Sequence, residues 1–544
     1  MTMTEVQQLF PSVDGNEMDR GQLLEHIHYI LTEIDALKNP EKLTLGTMPK
    51  YDQSYYQSLT VKASIPESGF SIDHTMKELL DMSQGHRFVN RNYVANAAPL
   101  PNTASILGNF MMVLLNGNNL WDVEGPTAAA AEVKTVSMLS KIAGYDPLLS
   151  GGFTTWGGQG AVFQSLRLAI SRQFPTSNQT GTPPNLYCFA SELSHYSLYK
   201  SVEATGIGTN NLIRIKVNED FSMDLIDLEQ KMEEVILNGG NPFYVLATMG
   251  TTDTFAIDDI QGVKDVTMRL AKKHPISPAY IHADSAMGGM YTFFNQYDFK
   301  SNPLSFSDTT SGVLKGYQLK MKAIHVADSM VYDFHKLGQT PYISSVFLVK
   351  NKFDLQYLNI GEEETPYVGN RAFGTYHTGY TLECSRMGSS ITIYASLLAL
   401  GMKGYQTLLA HYIDVNIAFR QALTDTFPSV AITNSISPIT TFRFYEADPM
   451  WSFERHGGLT MEKMNEINLF NEKLSDQFGE NRDDIYFGST KKQCLVQASD
   501  STSVPIFAHK FFAISPYTTV KDIHVYMHFL KEHHDNVVKM NVIV

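Results

Sequence analysis

Apolar residues recur at three- and four-residue intervals early in the chain, at Leu23, Ile27, Ile30, Leu31 and Ile34. That spacing predicts a helical extension over roughly the first 70 residues. Gln84 to Pro101 then loses the periodicity and reads as loop, with His86, Arg87, Asn90 and two prolines. Pro126 and Thr127 open a second helix whose apolar face is Val133, Val136, Leu139 and Ala143, and Gly144 is placed to end it. From about residue 150 to about 350 the pattern changes to short apolar runs: Leu186–Ala190, Leu212–Val217, Phe243–Thr248, Tyr280–Ala283, Ser329–Tyr332 and Val346–Val349. Each is of strand length, and most are separated by helix-length segments, which predicts a mostly parallel sheet wrapped by helices. In such sheets ligands bind beyond the carboxyl ends of the strands. A further helix, Ser389 to Gly401, leads into a mixed region that reads as a smaller C-terminal α+β domain. The expected division is 1–100 for the extension, 101–400 for a large domain and 401–544 for a small one.

Bulk composition narrows the classes. The chain has 544 residues, 43% hydrophobic and 18% charged, which is enough apolar material for more than one packed domain. Its 42 basic and 56 acidic residues give a net charge of −14, which argues against a nucleic-acid or anionic-membrane partner. A bound anion must therefore be held by a few local donors. Cys188, Cys384 and Cys494 lie far apart with no metal-ligand spacing, and three cysteines suit a reducing compartment better than a disulfide framework. Met1 to Arg20 carries no basic-then-apolar signal, and the longest apolar run, Ile106 to Leu115, is far short of a membrane span. A cytoplasmic protein without a metal site is expected.

Five short motifs fall at strand ends or before helices. Asp333-Phe334-His335-Lys336 follows the run Ser329–Tyr332 and offers an amine whose pKa burial could tune. Tyr280 to Gly289 places Asp284 at another strand end, followed by the small residues Ser285 and Ala286. A carboxylate there could keep a pyridinium nitrogen protonated, and small neighbours would let a flat ring approach the backbone. Thr154 to Gly160 is a glycine-rich turn before a helix, a ready phosphate site. His195, after Leu186–Ala190, could stack on a ring and assist proton movement, and the hydroxyls of the turn Thr248, Thr251 and Thr252 could bond a ring oxygen or carboxylate. Each motif alone has an ordinary structural explanation: a solvated lysine, a capping aspartate, a plain turn, a satisfied histidine. Their common placement at one edge of one sheet is what such explanations do not cover.

Taken together the motifs resemble the group II pyridoxal-phosphate (PLP) amino-acid decarboxylases, which include glutamate and aromatic amino-acid decarboxylases. Pro242 to Ile260, PFYVLATMGTTDTFAIDDI, carries the resemblance most strongly. His282-Ala-Asp284-Ser-Ala286 is similar to the family's H-V-D-A-A, and Asp333 to Lys336 to its N-P-H-K or D-x-H-K. The resemblance covers roughly 75 to 520. It implies an aspartate-aminotransferase-like fold (fold type I) and a homodimer with the site at the interface. Lys336 would be the Schiff-base lysine, Asp284 the partner of the ring nitrogen, His195 the stacking residue and Ala286 the packing residue on the other face. Thr155, Gly158 and Gln159 would lie in the phosphate turn, with Thr248 and His335 also at the cofactor. His86 and Asn90 fall in a segment similar to the substrate-binding segment of the glutamate enzymes.

Three departures accompany the likeness. Asp284 and Lys336 are 52 positions apart (336 − 284), which implies an insertion within Asn295 to Ile324. Asp333 stands where N-P-H-K has asparagine, as in bacterial diamino-acid decarboxylases. Phe511 stands where the family's carboxylate-binding arginine is expected, which tilts the expectation toward an aromatic substrate. The resemblance places the proton donor to Cα on a loop, here Glu362 to Gly379, at Tyr367 with Tyr376 in reserve. The rival readings are an aldehyde-forming or carbon–carbon-cleaving PLP enzyme of the same fold, and a non-catalytic relict of the family.

Overall fold

The computed structural model describes residues 2–11, 20–49, 51–360, 362–364 and 379–542. At its centre is a seven-stranded sheet. In chain order its strands are β1 (Gly151–Thr155), β2 (Leu186–Ser191), β3 (Leu212–Ile215), β4 (Asn241–Thr248), β5 (Tyr280–Asp284), β6 (Ser329–Asp333) and β7 (Ser345–Val349). Across the sheet they lie in the order β1-β7-β6-β5-β4-β2-β3. Neighbours are parallel except at β7, which runs antiparallel to both β6 and β1. The fold is of type I, with the mostly parallel sheet that the alternating runs predict.

Continuous apolar runs follow from burial on both faces. Val245, Ala247, Ile281 and Met330 pack into one core, while Tyr244, Leu246, Tyr280 and Val331 pack into the core on the other side. Successive side chains of a strand point to opposite faces, so each run must be apolar at every position. β1 breaks that rule and is invisible as a run, because Gly-Gly-Phe-Thr-Thr has one large apolar residue. It is nonetheless fully buried. A Cβ on Gly152 would stand 2.2 Å from the carbonyl oxygen of Phe347, so β1 can pair with β7 only as glycine.

Helix Pro126–Ala143 ends at Gly144 in the left-handed region (φ 86°), as the sequence implies. Helix Ser389–Thr426 is longer than expected: Gly401 (φ 57°) kinks it and the helix then resumes. The segment Asn295 to Ile324 contains a helix, Asp308–Met321, whose Gln318 Nε2 donates to the carbonyls of Phe294 (2.6 Å) and Tyr297 (2.9 Å).

The C-terminal region is α+β. Its five-stranded sheet runs Tyr93–Val94, Tyr486–Thr490, Ala508–Phe512, Ile439–Phe444 and Val430–Ile432, in that order. The first pair is parallel and the rest antiparallel. The chain before the central sheet thus contributes an edge strand to the last one. Among the described residues no helix is long and apolar enough to cross a membrane.

Candidate active site

The carboxyl ends of β1, β2, β4, β5 and β6 converge on a cavity of about 240 Å3. Its wall includes Gly158, Gln159, His195, Thr248, Asp284, Ala286, His335 and Lys336, eight of the residues expected from sequence. They come from five segments of chain, so strand geometry rather than sequence proximity gathers them.

The lysine end is built by a tight turn. Lys336 N donates to Asp333 O at 3.1 Å, which swings the lysine back over the end of β6. Its Nζ meets Asp333 Oδ2 at 2.8 Å. Ser345, which faces Asp333 across the β6–β7 pairing, donates Oγ to Asp333 Oδ1 at 2.6 Å. Burial by itself would raise the Asp333 carboxyl, but Lys336 and His335 and the hydrogen bonds from Lys336 and Ser345 hold it below its ordinary range. Burial opposes the Lys336 ammonium in the same way, yet Asp333, with smaller contributions from Asp284 and Tyr342, keeps it above the ordinary lysine value. His335 is held low by burial, and its Nδ1 lies 3.3 Å from the N–H of Ser344.

Asp284, at the end of β5, is fully enclosed, and its Oδ1 receives a long hydrogen bond from Ala286 N (3.4 Å). Burial raises its carboxyl against the pull of Lys336. His195 stands at the mouth with part of its ring open, and its Nδ1 accepts from Ser197 N at 3.2 Å. Enclosure, then the Lys336 charge, push its imidazole down to about 4, so the ring is neutral near pH 7.

The glycine turn opens the 16-residue helix Gly158–Gln173, whose start has no side-chain cap. The first N–H groups of a helix lack intrahelical partners and favour an anion. Thr155 does not line the cavity; it braces the turn from below, its Oγ1 donating to Gly157 O at 3.0 Å. The side chain of Gln159 is likewise committed, to Ser197 O and Ser201 Oγ, both at 3.1 Å. β1 itself is clamped by the buried Arg386, which donates to Glu132 Oε1 (2.7 Å) and Thr154 O (2.8 Å).

Two buried hydroxyls on the wall, Ser197 Oγ and Thr248 Oγ1, have no hydrogen-bond partner among the described residues. A buried polar group without a partner is unfavourable by about 1–3 kcal/mol, which a bound ligand's oxygens relieve. An uncapped helix start, orphaned hydroxyls, a buried carboxylate and an amine form a donor set that fits a phosphorylated pyridine aldehyde.

Some expected residues are not brought here. His86 and Asn90 lie off the cavity, where His86 O accepts from Leu45 N (2.8 Å) and Asn90 Nδ2 donates to Lys42 O (3.2 Å). Tyr367 and Tyr376 lie outside the described residues.

Phe511 is buried in the core against the C-terminal sheet, its ring stacked on Phe419 with centroids 3.8 Å apart. Its neighbour Lys510 points from the opposite face of the same strand. Lys510 is buried and reaches Asp253, next to Thr252 of the cavity wall, at 3.1 Å. The period-2 alternation of Ala508–Phe512 was the available signal for that cation. Asp333, Ser197 and Thr252 also belong to the wall, the last two from the strand-end segments that carry His195 and Thr248.

Residues 66–444 match a family model described as the pyridoxal-dependent decarboxylase conserved domain. A glutamate decarboxylase-like protein of Gibberella zeae is 26% identical over 351 residues, 61% of each chain. An L-2,4-diaminobutyrate decarboxylase of Acinetobacter baumannii is 23% identical over 378 residues, 64% of this chain and 66% of the relative. The matches thus span slightly under two thirds of either relative. Among solved structures, the glutamate decarboxylase domain of a Vibrio parahaemolyticus diaminobutyrate-pyruvate transaminase and L-2,4-diaminobutyrate decarboxylase aligns over 98% of this chain and 100% of its own, with TM-score 0.73 and 17% identity. Oryza sativa TDC with PLP and tryptamine aligns over 96% and 99%, with TM-score 0.75 and 17% identity. At such identities the structural likeness speaks for the fold.

Proposed function

Because the chain belongs to the pyridoxal-dependent decarboxylase family, whose cofactor is pyridoxal phosphate, we propose that it removes the α-carboxyl group of an amino acid as CO2, with Lys336 as the cofactor's covalent anchor. The observation that carries this reading is the meeting of Lys336, Asp284 and the uncapped glycine turn in one cavity.

When bound, the cofactor ring accepts the electron pair released as the Cα–carboxyl bond breaks. Asp284 supplies a buried negative charge that keeps the ring nitrogen protonated. His195, neutral at working pH, packs on the ring and excludes water, while Ala286 leaves room on the opposite face. The turn from Gly158, with Ser197, would hold the phosphate, and the hydroxyl of Thr248 would bond a ring or carboxylate oxygen. Reduction with borohydride after incubation with pyridoxal phosphate should mark the Lys336 peptide by mass. A panel of twenty amino acids plus ornithine and diaminobutyrate should then give CO2 and amine from at least one. A marked peptide other than that of Lys336, or no amine from any, rejects the assignment.

Tyr367, 31 positions after Lys336 (367 − 336), is the proposed donor of the proton that replaces CO2 at Cα. Tyr367→Phe should keep CO2 release but divert product from amine to aldehyde and ammonia, as dissolved oxygen oxidises the carbon left unprotonated. Measuring CO2, amine and aldehyde together checks this. An unchanged amine yield, with loss in Tyr376→Phe instead, would transfer the role to Tyr376.

The working unit is proposed to be a homodimer. Helix Thr103–Leu115 leaves Ile106, Leu107, Phe110, Met111 and Leu114 exposed on one chain, an apolar face far larger than scattered surface residues need. Leu107→Asp with Phe110→Asp should convert the dimer to monomer in sedimentation and lower activity with it; an active parent monomer contradicts the proposal. The three free cysteines accord with a cytoplasmic location.

A further inference from the structure

The ion pair at the end of β6 does more than fix a side chain. An ammonium has no lone pair, so Lys336 can bond to a carbonyl carbon only after losing a proton. The group placed to receive it is Asp333, whose Oδ2 lies 2.8 Å from Nζ. That carboxylate cannot swing away: Ser345 Oγ holds Oδ1 at 2.6 Å, and a Cβ on Gly158 would come within 2.8 Å of Oδ2. Gly158 is therefore required as glycine partly to admit this carboxylate. The other titratable groups facing the pair are less well placed. His335 Nε2 stands 3.7 Å from the same Oδ2, and its Nδ1 is turned to the Ser344 backbone. Asp284 acts on Lys336 only at longer range, His195 is neutral, and Tyr342 donates its hydroxyl to Ala97 O at 3.1 Å.

We propose that Asp333 holds Lys336 as the ammonium ion until an aldehyde arrives and then takes its proton, making this carboxylate the control on cofactor attachment. The inference rests on the reading that Lys336 bonds covalently to an aldehyde cofactor. Asp333 takes one proton and becomes neutral. The freed Lys336 lone pair forms the carbon–nitrogen bond, and the carbonyl oxygen leaves as water with the two remaining amine hydrogens. Charge and atoms balance, with the ion pair consumed and no other reactant needed. His335, 3.7 Å away, is the next station for the proton.

The test reads the amine directly. Acetylation of Lys336 by acetic anhydride in cofactor-free protein, followed by peptide mass spectrometry over a pH series, reports the fraction of neutral amine. In the parent, Lys336 should acetylate only above the ordinary lysine range, although desolvation at its site works the other way. In Asp333→Asn the midpoint should fall by at least about one pH unit, since burial then acts unopposed. Attachment of pyridoxal phosphate near pH 7, trapped with borohydride, should become about tenfold faster, its rise with pH displaced downward by the same interval. A parent Lys336 that acetylates below the ordinary lysine range, which needs no variant to fold, overturns the proposal, as does an unmoved midpoint in Asp333→Asn. A lowered midpoint with no trapped cofactor in either protein supports the ion-pair control and rejects the cofactor reading instead.

Discussion

Lys336→Ala should abolish covalent capture of pyridoxal phosphate and lower turnover by at least about 10⁴-fold, or roughly 5.5 kcal/mol of barrier. Lys336 is the one lysine on the cavity wall among the described residues, and the buried Lys510 is committed to Asp253. The substitution has a second consequence that must be separated from the first. It leaves Asp333 enclosed with its cation gone, and an unpaired buried charge is destabilising by about 3–5 kcal/mol. Lys336→Ala should therefore also melt lower than the parent. Adding Asp333→Ala should restore much of the melting temperature and none of the activity. If the double variant recovered turnover, the single variant's loss would be a folding defect and Lys336 would not be the anchor.

How much of this could be read in advance differs by element. Strands β2 to β7 were legible because most of their positions are buried and apolar, so the runs stand out. β1 was not, because two of its five residues are glycine, Gly152 of necessity beside the carbonyl of Phe347. The site residues were legible as a set, since each follows a strand whose carboxyl end opens on the same side of the sheet. Thr155 was placed in the right turn but on the wrong side of it: its hydroxyl satisfies Gly157 O, a local demand that sequence spacing does not reveal. The side chains around Phe511 were not legible one by one: Lys510 faces Asp253 while Phe511 packs on Phe419, because successive residues of a strand point to opposite faces. Asp333 appeared in sequence only as a departure from N-P-H-K; its ion pair depends on the turn that folds Lys336 back upon it.

Asp284→Asn should lower turnover by about 10³-fold, close to 4 kcal/mol of barrier, while the cofactor-free protein melts no lower than the parent and gains on it as pH rises. The two effects have one origin. Asn keeps the shape of the side chain, so the loss of rate reads the missing charge at the ring nitrogen rather than a cavity. The carboxyl of Asp284 is raised by burial, with Lys336 pulling the other way. A group whose folded pKa lies above its unfolded value contributes stability while it is protonated and loses it as pH rises through the folded pKa. Above that point the cofactor-free parent carries an enclosed charge that Asn does not. Retaining such a carboxylate lowers the stability of the empty protein in exchange for a cation-stabilising charge where the ring sits. Melting curves of the two cofactor-free proteins between about pH 4 and pH 8, with turnover measured on the loaded enzymes, test both halves. Turnover within a few-fold of the parent would reduce Asp284 to a strand-end residue. A variant that lost stability relative to the parent as pH rose would mean that its carboxylate is satisfied in the fold, and the assignment to the ring nitrogen would fall with it.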